Sequence, residues 1–155
     1  MRAMDNLYNF WGGMELLAQL DRIRRALEIN PDGRTAWLTM GCDVDVEAGP
    51  PIHIHRGFRT DFASVPRVFW RMLPPWGRYT PAAVVHDFLY ERAGACQLAD
   101  RAGLYIYTRK MADRLFRQYM AVLAVPQWKR AVMYRALRIG GWLAWRRYSS
   151  KKRQG

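Results

Sequence analysis

Ala82-Ala83-Val84-Val85-His86-Asp87-Phe88-Leu89-Tyr90 decides how the rest of the chain is read. The segment is apolar nearly all round a helix, so the helix belongs inside the molecule. Into it are set a histidine and an aspartate side by side, and burying either without a partner is costly. His86 and Tyr90 are four residues apart and share a face, while Asp87 lies about 100° round from His86. Thr80-Pro81 marks the start, an N-cap followed by proline at the first helical position. Gly94 marks the stop, so the helix is expected to run to about Ala93.

Downstream, a second helix is expected from about Tyr105 to Ala124. Ala112, Phe116, Tyr119, Met120 and Leu123 form its apolar stripe, and Asp113 falls within that stripe. A carboxylate on an inward face needs a partner. His86 is one: an aspartate accepting from one imidazole nitrogen fixes the tautomer and leaves the other nitrogen to take a proton from water. Arg109 and Arg117, four residues away on either side, are the alternative as ordinary ion-pair partners. Asp87 is placed to hold a divalent cation that polarises a carbonyl. A third helix opens at Pro126 and runs to about Tyr148, with Gly140-Gly141 as a kink or break.

Upstream, Leu16, Leu17, Leu20, Ile23 and Leu27 fall at helical spacing, so residues 14–28 read as a short amphipathic helix. Asn30-Pro31-Asp32-Gly33 is a turn. Thr35 to Met40, Cys42 to Glu47 and Ile52 to His55 alternate as strands do, giving a small antiparallel sheet or meander over residues 35–57. Residues 58–79 are irregular, with a short helix or turn expected around Pro66 to Met72. The expected fold is α+β: one domain over residues 1–155, a small sheet followed by about three main helices in 80–148 and a basic tail.

The charge is lopsided. Of 25 Lys and Arg against 13 Asp and Glu, eleven basic and no acidic residues lie from Arg114 to Gly155. The residues before Arg114 are nearly neutral, so the C-terminal end is expected to meet an anionic partner. Trp128, Trp142 and Trp145 are interleaved there with Lys129, Arg130, Arg135, Arg138, Arg146 and Arg147, ahead of Lys151-Lys152-Arg153. A basic helix with Trp and Leu suits the surface of an anionic phospholipid bilayer. Packing of its apolar face on the domain is the plainer alternative, and nucleic acid ranks behind lipid because no nucleic-acid motif is present. Cys42 and Cys96 read as free thiols. No apolar run is long enough for a transmembrane helix, and Met1 to Leu20 lacks the apolar block of a signal peptide.

Gly57-Phe58-Arg59-Thr60-Asp61-Phe62-Ala63-Ser64-Val65-Pro66-Arg67, His86-Asp87-Phe88-Leu89-Tyr90 and Ala112-Asp113-Arg114-Leu115-Phe116 together resemble the DUF1353 family. These are short proteins of phages, prophages and related bacterial genomes. Order and spacing of the blocks match from about Arg56 to Gly141. The resemblance implies a phage-type origin, hence a host cytoplasm or virion, and no activity. The helix pair also resembles, more distantly, the core of phospholipase A2, above all the compact version in parvovirus capsid proteins. That second resemblance implies a general base at His86, oriented by Asp113. It implies a calcium ligand at Asp87, a hydrogen bond from Tyr90 to Asp113, and hydrolysis of a glycerophospholipid ester. No organic cofactor is implied. The Gly-rich calcium loop of that family is missing, and Pro74-Pro75-Trp76-Gly77-Arg78-Tyr79 stands in its place.

Asp61 and Ser64 read as caps of a short helix near Pro66, with Phe62 and Val65 plugging the core. The functional alternative has Asp61 reaching the His86 site as a metal ligand or substrate clamp. Ser64 lacks the Gly-x-Ser-x-Gly surroundings of a nucleophile. His53, His55, His86-Asp87 and Asp113 follow the residue order of HD-type phosphohydrolases. The strand spacing of the first pair differs from that family's helical arrangement, and solvent-facing strand histidines are the plainer reading.

Two classes of function remain. One is a phospholipase A2-like hydrolase. The other is a non-enzymatic virion, tail or assembly protein with a buried structural network and a basic segment that binds other phage structural proteins, membrane or nucleic acid. Access separates them: a general base must line a cleft open to water, whereas a structural network is sealed and fully hydrogen-bonded.

Overall fold

The structure is a computed structural model; it describes residues 2–47, 49–61, 76–98 and 103–151, and side chains for residues 12–146 within those spans. Phe62, Ser64, Val65, the helix expected at Pro66 to Met72, Pro74-Pro75 and Lys152-Arg153 lie outside the described residues. The fold is α+β. Among the described residues the order is α1 (Arg2–Ala26), β1 (Leu27–Ile29), β2 (Ala36–Leu38), β3 (Cys42–Val44), β4 (Ile52–Ile54), β5 (Arg59–Thr60), α2 (Thr80–Glu91), β6 (Ala95–Gln97), β7 (Leu104–Ile106), α3 (Arg109–Val122) and α4 (Gln127–Lys151).

The helix expected over 14–28 begins far earlier, at Arg2, and ends two residues sooner. Leu20, Ile23 and Ala26 are its buried positions, whereas Leu17 stays exposed. Leu27 leaves the helix because residues 27–29 pair with β2, Leu27 opposite Leu38 and Ile29 opposite Ala36. The Asn30–Gly33 turn closes this hairpin. The Asp32 carboxylate accepts from the Arg34 and Thr35 N–H groups, and those donors hold it below the ordinary carboxylate range. Arg59 and Thr60 add a third strand on the other edge of β2.

The expected single meander is thus two sheets. In the second, β3 and β4 put Cys42, Val44, Ile52 and Ile54 inward and the pair Asp43 and His53 outward. A third hairpin, β6–β7, occupies residues given to the start of the second helix. That helix begins instead at Arg109, capped by the Thr108 hydroxyl, which accepts from the Met111 N–H at 3.2 Å.

Every residue of α2 from Thr80 to Tyr90 is buried, as an apolar helix demands. Its N-cap is Tyr79 rather than Thr80, because the Thr80 hydroxyl is taken by the N–H of Gly77. It ends at Glu91 rather than Ala93, because Ala93 turns left-handed at φ 48°. The α4 helix runs through Gly140-Gly141 unbroken. One apolar core, from Leu20 on α1 to Leu137 on α4, is shared by α1, both small sheets and the α2–α3–α4 layer.

Candidate functional site

The inward stripe of α3 brings Asp113 against α2. His86 Nε2 lies 3.0 Å from Asp113 Oδ1, and the Tyr90 hydroxyl donates to the same oxygen at 2.6 Å. Arg138 on α4 donates through Nη1 to Oδ2 at 2.8 Å. One carboxylate therefore ties three helices together. The imidazole packs against two tilted rings, with centroids 4.1 Å from Tyr90 on its own helix and 5.1 Å from Phe116 on α3. Burial pushes the Asp113 carboxyl up, but the hydrogen bonds from His86, Tyr90 and Arg138 outweigh it and hold the group below the ordinary carboxylate range. Burial, reinforced by the Asp113 carboxylate, pushes the Tyr90 phenol up, so the phenol stays a donor.

The centre of the network is buried: His86 is 1 % exposed and Asp113 0 %, while the Arg138 side chain is 33 % exposed. Three grooves among the described residues are lined by other side chains. Arg138 replaces the two arginines expected to pair with Asp113 along its own helix. Arg109 donates to the Leu137 carbonyl at 3.4 Å, and Arg117 lies over the Tyr134 ring. Arg138 reaches the carboxylate because α4 packs against α3.

Asp87 points elsewhere from the same turn. It is 8 % exposed and accepts a short hydrogen bond from the Thr60 hydroxyl on β5. Asp61, the next residue, is exposed. Among the described residues no three His, Cys, Asp or Glu side chains gather to hold a metal ion. Asp87 brings one carboxylate and Thr60 one hydroxyl, a beginning of an oxygen donor set for a hard cation but short of the 6–8 ligands of calcium.

His53 and His55 are engaged apart from this network. His53 Nδ1 lies 2.6 Å from Asp43 Oδ1 on the outer face of its hairpin, and His55 meets Arg92 and the rings of Phe58 and Phe88. Cys42 and Cys96 are buried and form no disulfide. No helix of the described residues is long and apolar enough to cross a membrane.

The family described as Protein of unknown function (DUF1353) matches residues 38–137. This chain belongs to the DUF1353 family. No curated protein and no solved structure matches it. The DUF1353 span takes in Thr60, His86, Asp87, Tyr90 and Asp113 and stops one residue short of Arg138. Three members of the tetrad therefore sit in the family's span, and the fourth comes from the adjoining turn of α4.

The sequence names Thr60 only within the Gly57–Arg67 block and Arg138 only among the basic residues of the last helix, and nothing in it separates Arg138 from its basic neighbours.

Proposed function

We propose that this DUF1353 chain is a non-enzymatic docking domain, of the kind a phage carries in a virion, tail or assembly intermediate, and that α4 seats it on an anionic phospholipid surface. The observation that carries this reading is the outer face of α4. Trp128, Ile139, Trp142 and Leu143 remain 54, 77, 44 and 58 % exposed while Met133 and Leu137 pack inward. Lys129 lies over the Trp128 ring and Arg146 over the Trp142 ring. Exposed apolar side chains that a soluble surface does not need, partnered by cations, suit the boundary between headgroups and acyl chains. The burial of His86 and Asp113 supports the non-enzymatic half: Asp113 anchors α4 through Arg138, and a general base has to meet water.

A specific observation favours a second reading. His86 Nε2 and the Tyr90 hydroxyl converge on one oxygen of Asp113, the orientation a phospholipase A2-like dyad requires. On that reading His86 activates water, Asp87 holds calcium and the ester of a glycerophospholipid is cleaved.

One experiment separates them. The full chain, His86→Ala and Asp113→Asn are mixed with phosphatidylglycerol or phosphatidylcholine vesicles, with calcium or with chelator. Sedimentation with phosphatidylglycerol alone, weakened by salt and without fatty-acid release, is expected. Calcium-dependent release that both variants lose would establish the hydrolase instead. Failure to sediment would remove the docking role.

A further inference from the structure

A groove of about 670 Å³ lies between α3 and α4, within the range of small-ligand sites. Met111, Leu115 and Tyr134 supply apolar wall, and Arg114, Arg117 and Arg130 converge on it from the two helices. Among the described residues none of these arginines has a carboxylate within ion-pair reach. The one acidic lining residue, Glu47, accepts from the Gln118 amide at 2.8 Å. Arg117 is held over the Tyr134 ring. Arg130 contributes a different kind of observation: its Nε is buried and meets no hydrogen-bond acceptor. Buried donors are normally satisfied, so an orphaned one at a groove wall marks a place where an acceptor belongs.

We propose that this groove binds a phosphate monoester with an apolar or aromatic body. Three guanidinium charges against one carboxylate leave a net charge of +2 among the lining residues. A monoester dianion, at about −1.5 to −2 near neutral pH, balances that, whereas a carboxylate or a phosphodiester balances only half. The planar forks of arginine match phosphate oxygens in pairs, and an acceptor oxygen would complete Arg130 Nε. Met111, Leu115 and Tyr134 take the body. The inference stands apart from the docking face, since Arg130 and Tyr134 face α3 while Trp128, Ile139 and Trp142 face outward. Such a ligand has two sources, a soluble organic phosphate or the headgroup of phosphatidic acid.

Titration of the full chain with phenyl phosphate and with phenyl sulfate, a monoanion of the same body, tests the proposal. Phenyl phosphate should bind saturably and at least about tenfold more tightly than the sulfate, and Arg130→Gln or the exposed Arg114→Gln should weaken it about tenfold, as loss of one charge-assisted hydrogen bond predicts. Preference for phosphatidic acid over phosphatidylglycerol vesicles, abolished by Arg130→Gln and seen without phenyl phosphate binding, would assign the lipid source. Absence of saturable phenyl phosphate binding together with no preference for phosphatidic acid, or binding indifferent to both variants, would overturn the proposal.

Discussion

The Tyr90 hydroxyl occupies the space where a side chain at residue 141 would begin: a Cβ on Gly141 would fall 2.6 Å from Tyr90 Oη. Tyr90 has little room to yield, because its hydroxyl is held by Asp113 and its ring meets Trp145 edge-on at 5.0 Å. Gly141 is therefore the point of close approach between α4 and the tetrad. Alanine there gains about 1 kcal/mol of helix propensity but overpacks a fixed neighbour by about 1–3 kcal/mol. Gly141→Ala is expected to lower stability by up to about 2 kcal/mol in urea titration. A more stable variant would mean that α4 does not rest on Tyr90.

Gly94 makes a harder demand. Its φ is +79°, and a Cβ would lie 1.8 Å from the Tyr107 carbonyl oxygen. That oxygen belongs to backbone that returns a hydrogen bond, Tyr107 N–H donating to the Gly94 carbonyl at 2.9 Å. Gly94→Ala is expected to cost more than about 3 kcal/mol, from left-handed strain plus the clash. A wild-type melting curve would show that the turn into β6 can be rebuilt.

Asp113 sets an acid limb. Its carboxyl titrates below the ordinary range in the folded state. Its contribution is therefore complete above the unfolded carboxyl's value of about 4 and is lost as pH falls through the lower folded value. Asp113→Asn is expected to lose about 3 kcal/mol near neutral pH, because Arg138 is left without its carboxylate, and to flatten the fall in stability below about pH 4. Denaturant titrations from neutral pH into acid measure both. An acid limb of unchanged slope in the variant would place its origin in other carboxylates.

Charge on the outer face of α4 should act on membrane affinity alone. Arg135 and Arg146 are exposed, and the Arg146 guanidinium lies over the Trp142 ring. Arg135→Gln and Arg146→Gln are each expected to weaken binding to phosphatidylglycerol vesicles by about 1 kcal/mol. Their urea midpoints should stay near that of wild type. Equal loss on phosphatidylcholine would contradict an electrostatic origin.

Residues 82–90 announced a buried helix because nothing in them tolerates water except His86 and Asp87, and α2 is buried along that whole length. Asp113 was legible for the same reason: a charge inside an apolar stripe requires a partner, and one of the two partners on offer, His86, is at 3.0 Å. The hairpin turn at Asn30–Gly33 was legible from local chemistry. Short strands were not. Leu27–Ile29 and Leu104–Ile106 continue the pattern of a neighbouring helix, and three residues carry too little period to resist it. Their identity as strands depends on Ala36–Leu38 and Ala95–Gln97 lying alongside.

Local patterning determined by itself which segments are buried, where the chain turns, that the acidic residues end at Asp113 and that a His-Asp pair had to be satisfied inside. Tertiary structure alone decided that Arg138 shares the carboxylate, that Thr60 donates to Asp87, that Gly141 is a contact instead of a kink, and that His86 and Asp113 are buried. The reason is physical. Burial and helical period are encoded in neighbouring residues, whereas the partner of a buried charge is chosen by which distant side chain the packing carries to it.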